Sequence, residues 1–184
     1  MSKRLTREAW ISHGFDVLRS TGHEALKADT LCKALGVSRG SFYWHFPSLG
    51  EFHDALLVAW RQRNTEAVIA ELQEHPDAET QLATLIQKAI ETPQPLENAM
   101  RRWGGANPDV AAALAQVDLL RRTYLVELLM GAGVSAAVAR DRATLLTWSF
   151  VGRSFAPIFV ADTSPKVAAE TSALFLSKPA GETP

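Results

Sequence analysis

The sequence predicts an all-α protein, and its composition and patterning support this class. Ala and Leu supply 50 of the 184 residues, against 17 for Val and Ile, which strands prefer. No Asn-Gly or Asp-Gly turn lies between alternating apolar runs, so no β-hairpin is indicated. Apolar residues recur instead at helical spacing, in segments bounded by capping residues, glycine and proline. The pattern predicts nine helices, three in an N-terminal domain (residues 1–48) and six in a body (residues 49–184).

Each helix of the N-terminal domain is marked by local signals. Thr6 can cap the first helix with its hydroxyl. Gly36 is placed to end the second helix in a left-handed conformation, and Ser38 can cap the third. The predicted spans are Thr6 to about Ser20, Ala28 to Leu35, and Ser38 to about His45. Two short helices joined by such a turn are typical of a helix-turn-helix.

The body is predicted as six longer helices. Asn107 caps one of them, with Pro108 at its first position, and Gly104-Gly105 is expected to stop the helix before it. The predicted spans are Leu49 to about Glu74, Ala78 to Glu91, Leu96 to Trp103, Pro108 to Gly131, Ala136 to about Val160 with a bend at Pro157, and Pro165 to Ser177.

Charge and cysteine content narrow the class of protein. Residues 1–50 hold seven Lys/Arg and four Asp/Glu, a balance of +3, whereas the remainder holds twelve and sixteen, a balance of −4. This asymmetry favours contact of the N-terminal domain alone with a polyanion. A single cysteine indicates a reducing compartment, and the polar N-terminus and the absence of a membrane-spanning run lead us to expect a cytoplasmic protein with no membrane partner.

Catalytic and metal-binding patterns are missing from the sequence. Its five histidines are scattered, without His-Glu-x-x-His or another clustered metal pattern, and no glycine-rich phosphate loop follows a predicted strand. Cys32 is expected to pack in the core of the N-terminal domain, because no base accompanies it. We therefore predict a protein that is not an enzyme, with no catalytic residue, metal ligand or cofactor.

The third helix carries the residues that point to a function. At 100° per residue, Phe42 and Phe46 share a face that turns inward. The opposite face shows Arg39, Gly40, Tyr43 and Trp44, with Ser41 and His45 on its flanks. Aromatic residues on a helix usually belong to a core, but a core helix rarely begins with arginine, glycine and serines after a glycine turn. The pattern therefore favours a helix that reads DNA.

Most residues on the outward face suit a contact with a duplex. Arg39 can fork onto guanine O6 and N7, and Gly40 removes the side chain where helix and groove come closest. Ser41, Tyr43 and His45 can hydrogen-bond phosphates, and the amides around Ser38 form an anion site.

Residues 6–50 resemble the N-terminal domain of the TetR/AcrR family of transcriptional regulators. The matching residues are Gly22, Leu26, Leu31-Cys32, Leu35 to Ser38, and Ser41 to Phe46, followed by an amphipathic helix. The resemblance implies base reading by Arg39 and Gly40, and phosphate or groove contact by Ser41, Tyr43, Trp44 and His45. It also implies a homodimer joined through its last two helices and an effector pocket in the body. Because most of the family represses transcription, a repressor released by a small, largely apolar effector is expected.

The sequence departs from the family pattern at three positions. Ala28 replaces a capping Thr or Ser, Leu49 replaces a phosphate-binding Lys, and Cys32 replaces a common Ala. Lys27, beside Ala28, can supply a longer-range phosphate contact. The basic residues Lys3, Arg4 and Arg7 form either an arm along the DNA backbone or a solubilising tail.

The family topology places several body residues where the fourth to eighth helices converge. These candidate effector contacts are Trp60, Asn64, Met100, Trp103, Tyr124 and Phe150. Asn64 and Tyr124 are the polar groups that an otherwise apolar pocket needs. Arg101 and Arg102 are expected on a solvated face, although one of them could bind an acidic effector. Arg153 needs a partner if it is buried, and it is expected either to reach an acid across the dimer interface or to face water.

Surplus apolar residues on the last two helices indicate a homodimer, hence a palindromic operator with half-sites about 34–36 Å apart or a multiple of that distance. The alternative function is a DNA-bound scaffold whose body holds another protein in place of a small molecule.

Overall fold

The computed structural model describes residues 5–155 and 164–177. Within these residues the protein has nine helices and one 3-10 turn but no strand, which confirms the all-α class. The first three helices are α1 (Arg7–Ser20), α2 (Ala28–Leu35) and α3 (Arg39–His45). Helix α4 has three consecutive segments, Leu49–Arg61, a π-helical turn Gln62–Glu66, and Ala67–Leu72. The others are α5 (Ala78–Glu91), α6 (Pro95–Ala106), α7 (Pro108–Gly131), α8 (Ala136–Arg153) and α9 (Pro165–Leu176).

Predicted caps fix several helix ends. The Thr6 hydroxyl accepts a hydrogen bond from the Ala9 amide at 3.1 Å, which begins α1. Gly36 has a φ of 64° and a ψ of 33°, the left-handed conformation that ends α2. The Asn107 side-chain oxygen accepts from the Asp109 amide at 2.9 Å, so α7 begins as predicted.

Helix α6 differs from its prediction. It continues through Gly104-Gly105 to Ala106, whereas the sequence predicts that the helix stops at these glycines. A Cβ on Gly104 would overlap the Cδ1 atom of Leu114, so this glycine permits close packing of α6 against the start of α7. The chain turns only at Asn107, which caps the next helix.

The long helix predicted from Leu49 to about Glu74 is present as α4, although it contains a π-helical turn that the sequence did not predict. Helix α8 is shorter than expected. Helix α8 ends at Arg153 and not near Val160. The amides of Ser154 and Phe155 donate to carbonyls three residues earlier, so the last turn tightens and the helix closes there. The expected bend at Pro157 lies outside the described residues.

The chain forms two compact units. Unit 1 comprises residues 1–64 and 95–114, and unit 2 comprises residues 65–94 and 115–184. The division at residue 48 into a DNA-binding domain and a body concerns function and stays a prediction.

The core of unit 1 is aromatic. The rings of Phe42 and Phe52 lie 5.3 Å apart, those of Phe46 and Phe52 4.9 Å apart, and Trp10 meets Phe42 edge-on at 5.4 Å. Gly14 lets α1 approach α4, because a Cβ there would lie 2.7 Å from the Cζ atom of Phe52. This core holds α3 from its inner face.

The core of unit 2 is largely aliphatic. Helix α9 packs on α5, and the buried cluster of the unit also draws side chains from α4, α7 and α8. Fully buried members include Leu72, Leu82 and Leu129. Within residues 5–155 and 164–177, no helix combines the length and apolarity needed to cross a membrane.

Candidate nucleic-acid interface

A tight turn sets the start of α3. Residues 36–38 join α2 to α3, and Ser38 stands at the N-cap with extended backbone angles, but its hydroxyl does not make the capping hydrogen bond that the sequence predicts. Its carbonyl accepts a hydrogen bond from the Ser41 amide at 3.0 Å and a weak one from the Cys32 thiol, with sulfur 3.6 Å away. Cys32 is buried, as predicted, and burial raises the pKa of its thiol. The hydrogen bond from Cys32 to the Ser38 carbonyl therefore stabilises the turn.

The two faces of α3 are in different environments. Phe42 and Phe46 are fully buried in unit 1, whereas Tyr43 is 42% exposed and Trp44 is 71% exposed. A helix whose aromatic residues all served the core would bury the second pair as well. Exposure of Tyr43 and Trp44 therefore gives α3 a surface that a partner can contact.

Arg39, at the first position of α3, is oriented by two neighbours. Its Nε atom lies 3.1 Å from Oδ1 of Asp29 in the first turn of α2, and its Nη2 atom lies 3.5 Å from the Tyr43 hydroxyl. The guanidinium carbon is 5.8 Å from the centre of the Tyr43 ring. The Tyr43 contact, followed by the Asp29 charge, raises the pKa of Arg39 further, so this group stays cationic.

The other predicted DNA contacts of unit 1 have varied settings. Lys27, Ser38 and Gly40 are exposed, and Ser41 is half-buried. His45 is also half-buried, and its Nε2 atom lies 2.8 Å from the Leu5 carbonyl. Because a carbonyl only accepts, Nε2 carries the proton in this hydrogen bond. A phosphate contact by His45 must therefore use Nδ1 or replace this bond.

The chain before α1 is tied to the end of α3, which the sequence did not predict. Besides the bond from His45 to Leu5, the guanidinium of Arg7 lies 5.1 Å from the centre of the Phe46 ring. Lys3 and Arg4, the other members of the suggested basic arm, lie outside the described residues. The tie joins positions 40 residues apart, a separation at which local patterns give no signal.

Four candidate effector contacts lie in unit 1. Trp60, Met100 and Trp103 are buried, and the half-buried Asn64 donates from its side-chain amide to the Trp60 carbonyl at 3.2 Å. Trp103 packs edge-on against His53, with ring centres 5.0 Å apart. The structure therefore brings Trp60 and Asn64 together, and the pocket role of all four stays a prediction.

The other two candidates lie in unit 2. Tyr124 is buried and donates from its hydroxyl to the Gln81 side-chain oxygen at 3.1 Å. Phe150 is half-buried, and the Arg121 guanidinium lies 5.2 Å from its ring centre. Arg121 also donates from Nε to the Thr65 hydroxyl at 2.9 Å.

The sequence analysis did not identify Arg121 as an inward-facing residue that contacts Phe150 and Thr65. It lies four residues after the buried Val117 and three before the buried Tyr124, so helical spacing on α7 places it on the inward face. That spacing was the available signal.

The structure shows the environments of Arg101 and Arg153, for which the sequence analysis stated expectations. Arg101 is buried, so its expected place on a solvated face was wrong, whereas its neighbour Arg102 is exposed. Both Nε and Nη2 of Arg101 donate to one oxygen of Glu97, at 2.9 and 2.6 Å, because the two residues stand one helical turn apart on the buried side of α6. Arg153 is half-buried and donates to the Ala89 carbonyl.

Within residues 5–155 and 164–177, no three His, Cys, Asp or Glu side chains are grouped so that they could hold a metal ion. Asp29 on α2 and the exposed residues of α3 lie on one surface. A short helix held on an aromatic core, presenting arginine, glycine and aromatic residues after a glycine turn, is the arrangement typical of helix-turn-helix domains.

Comparison with known proteins agrees with this class. Residues 11–55 match the model of bacterial regulatory proteins of the tetR family. This match identifies the N-terminal region as a TetR-type domain. No curated protein sequence matches the chain.

Solved structures share the whole fold at low sequence identity. The choline complex of a transcriptional regulator from Saccharomonospora viridis has 16% identity and a TM-score of 0.73, covering 92% of this chain and 94% of that one. A TetR regulator from Haloarcula marismortui has 18% identity and a TM-score of 0.71, covering 92% and 95%. The fatty acid degradation regulator FadR from Bacillus halodurans has 16% identity and a TM-score of 0.68, covering 97% and 100%.

Proposed function

We propose that the protein is a transcriptional repressor that binds a palindromic operator as a homodimer and leaves it when a small effector binds. Residues 1–48 form the DNA-binding domain, and residues 49–184 bind the effector and the second protomer. Repression is proposed over activation because most members of the family repress. We further propose that the protein acts in the cytoplasm, where operator DNA and a reducing environment are found.

The observation that carries the DNA-binding part is the division of α3 into a buried and an exposed face. Phe42 and Phe46 anchor the helix in unit 1 while Tyr43 and Trp44 remain open to a partner. Arg39 stands at the N-terminal end of the same helix, where recognition helices contact base edges. A cationic, partly aromatic helix of this kind suits the major groove.

The roles within this interface divide by chemistry. Arg39 reads a guanine through two parallel hydrogen bonds, and Gly40 allows the close approach. The remaining contacts go to phosphates and the groove wall, which fix the register without reading sequence. They are made by Lys27, Ser38, Ser41, Tyr43, Trp44 and His45.

Dimerisation is supported by apolar side chains exposed near the end of the chain. On and just after α8, Leu145, Trp148 and Phe155 are 50%, 67% and 64% exposed. On α9, Leu174 is 67% exposed. A two-fold pairing of these helices would bury this surface and present two copies of α3 to a palindromic site. A chain that is monomeric at micromolar concentration by sedimentation would contradict this proposal.

An effector is proposed to bind in the body. The structural neighbour from Saccharomonospora viridis is a complex with choline, which supports the capacity of this fold to hold a small molecule. Candidate contacts are Trp60, Asn64, Met100, Trp103, Tyr124 and Phe150. Native mass spectrometry of the purified protein tests this part: a co-purifying small molecule supports a sensor, and a body that binds a protein instead supports the scaffold alternative.

DNA recognition is tested by selection of random duplexes with the purified protein, followed by binding measurements on variants. Arg39→Ala should cost about 1–3 kcal/mol of binding and relax the preference at one guanine position. Tyr43→Phe should weaken binding to all duplexes alike, because a phosphate contact carries no sequence information. If both variants bind the selected operator as the parent does, the assignment of α3 is wrong.

A further inference from the structure

The ion pair between Asp29 and Arg39 restricts how the arginine can approach a base. A guanidinium offers two edges for paired hydrogen bonds, one that includes Nε and one formed by the two terminal nitrogens. The Nε edge already faces Oδ1 of Asp29 at 3.1 Å. The edge formed by Nη1 and Nη2 is therefore the one that can fork onto guanine.

The ion pair with Arg39 does not explain Asp29 through folding stability or through a general attraction to DNA. The side chains of Arg39 and Asp29 are 62% and 68% exposed, and an ion pair in that setting contributes little to folding. A carboxylate on a surface that faces DNA also repels phosphates, which weakens binding to every duplex. An acid at this place is favourable if it improves the geometry of the contact that reads the base.

We propose that Asp29 is a positioning residue for base recognition, holding Nε of Arg39 so that the Nη1–Nη2 edge is aimed at one guanine. The inference rests on the proposed reading of guanine by Arg39. An exposed arginine samples many rotamers, and fixing it before DNA arrives lowers the entropy lost on binding. The Tyr43 ring supports the guanidinium from within α3 itself.

Positioning and simple repulsion predict opposite changes in operator binding when the carboxylate is removed. If Asp29 only repels phosphates, Asp29→Ala tightens binding to the operator and to unrelated duplexes in parallel. If Asp29 positions Arg39, the same variant weakens operator binding while binding to unrelated duplexes stays equal or tightens. The ratio of the two affinities therefore separates the explanations.

The experiment uses the full-length chain and three duplexes of equal length: the selected operator, the operator with the guanine replaced, and an unrelated sequence. Fluorescence anisotropy over a range of salt gives each affinity. Asp29→Ala should weaken operator binding about fivefold, the effect expected from losing an ion pair at the strong end of the exposed range. Asp29→Glu should restore most of the preference, since its carboxylate can still pair with Nε.

Two controls isolate the effect. Asp16→Ala makes the same change of charge in another exposed ion pair of unit 1, with Arg19, and should leave the ratio of affinities unchanged. In an Arg39→Ala background, Asp29→Ala should no longer lower the ratio, because the positioned group is gone. Thermal unfolding of each variant detects any loss of α2, whose first turn favours an acid.

The outcomes distinguish this inference from the proposed function. If Asp29→Ala leaves the ratio unchanged, or lowers both affinities together with the unfolding temperature, the positioning role is wrong. If Arg39→Ala keeps the full preference for the operator, or if selection enriches no sequence, the reading of guanine by Arg39 fails and the role of Asp29 falls with it.

Discussion

The exposed surface of α3 and the interior of the protein use the same residue types for different purposes. Arginine shows this most clearly. The Arg39 and Asp29 side chains are 62% and 68% exposed, whereas those of Arg101 and Glu97 are 6% and 3% exposed. Water screens the first pair and leaves its arginine accessible to a partner, while the second cannot lose its arginine without leaving a charge in the core. The environment, and not the pairing, therefore decides whether such an arginine is accessible to a partner or fixed in the interior.

The largest effect that tests this contrast is expected for Arg101→Ala. The substitution leaves the Glu97 carboxylate buried without its arginine, which typically costs about 3–5 kcal/mol of folding free energy. Chemical denaturation followed by circular dichroism measures the change.

Arg39→Ala is the matched surface variant and should unfold at the same denaturant concentration as the parent. Arg102→Ala, an exposed change beside Arg101, should alter stability by less than about 0.5 kcal/mol. Equal stability of Arg101→Ala and Arg102→Ala would contradict the contrast between the two environments.

Much of the fold followed from local signals in the sequence. The bounds of α2 and α5 agree with prediction because Gly36 and Asp77 act on the backbone within a few residues: Gly36 ends a helix by its conformation, and the Asp77 side chain accepts from the Thr80 amide at 2.7 Å. Gly104 misled the prediction because its role depends on Leu114, in the next helix. A helix end set by tertiary packing leaves no local mark.

In the candidate site, too, local patterns predicted some features, whereas others depend on contacts between helices. The exposed face of α3 followed from periodicity, since Phe42 and Phe46 lie one turn apart. The partner of Arg39 did not, because Asp29 lies on another helix and comes within 3.1 Å only once the turn has formed. Burial of Arg101 was missed because a charged residue is usually exposed, and only the acid one turn earlier indicated a partner.

Gly14 and Gly40 form a second pair of buried and exposed positions, and their substitution should change folding stability less than Arg101→Ala does. A Cβ at Gly14 would lie 2.7 Å from Cζ of Phe52, whereas a Cβ at Gly40 would meet only the Ser38 hydroxyl, at 3.7 Å. Gly14→Ala should therefore destabilise the protein by about 1–3 kcal/mol through overpacking. Gly40→Ala should stabilise it by about 0.5–1 kcal/mol, because alanine favours a helix.

The same two variants should reverse their order in DNA binding. Gly40→Ala adds a methyl group where α3 is expected to approach the duplex and should weaken operator binding, while Gly14→Ala acts at a distance from that surface. Denaturation curves and anisotropy on one set of samples provide both readouts. A Gly40→Ala protein that is more stable and binds the operator as tightly as the parent would show that this position does not approach DNA closely.

The last comparison is between the buried Tyr124 and the exposed Tyr43, and it predicts a small change of stability with pH. Burial raises the pKa of Tyr124, with a further contribution from Glu127, so the folded protein holds this proton to higher pH than the unfolded chain does. An unfolded tyrosine ionises near pH 10, so the stability due to the neutral hydroxyl is complete below about pH 10 and declines as pH rises through the higher folded value.

Tyr124→Phe should lose about 1 kcal/mol of stability at neutral pH, because the hydrogen bond to Gln81 is lost. Its stability should nevertheless decline less between pH 9 and 11 than that of the parent. Tyr43→Phe should leave stability at neutral pH unchanged because its ring is exposed. Burial also raises the pKa of Cys32, so the parent and Tyr124→Phe must be compared at each pH, and identical alkaline slopes would contradict the role assigned to Tyr124.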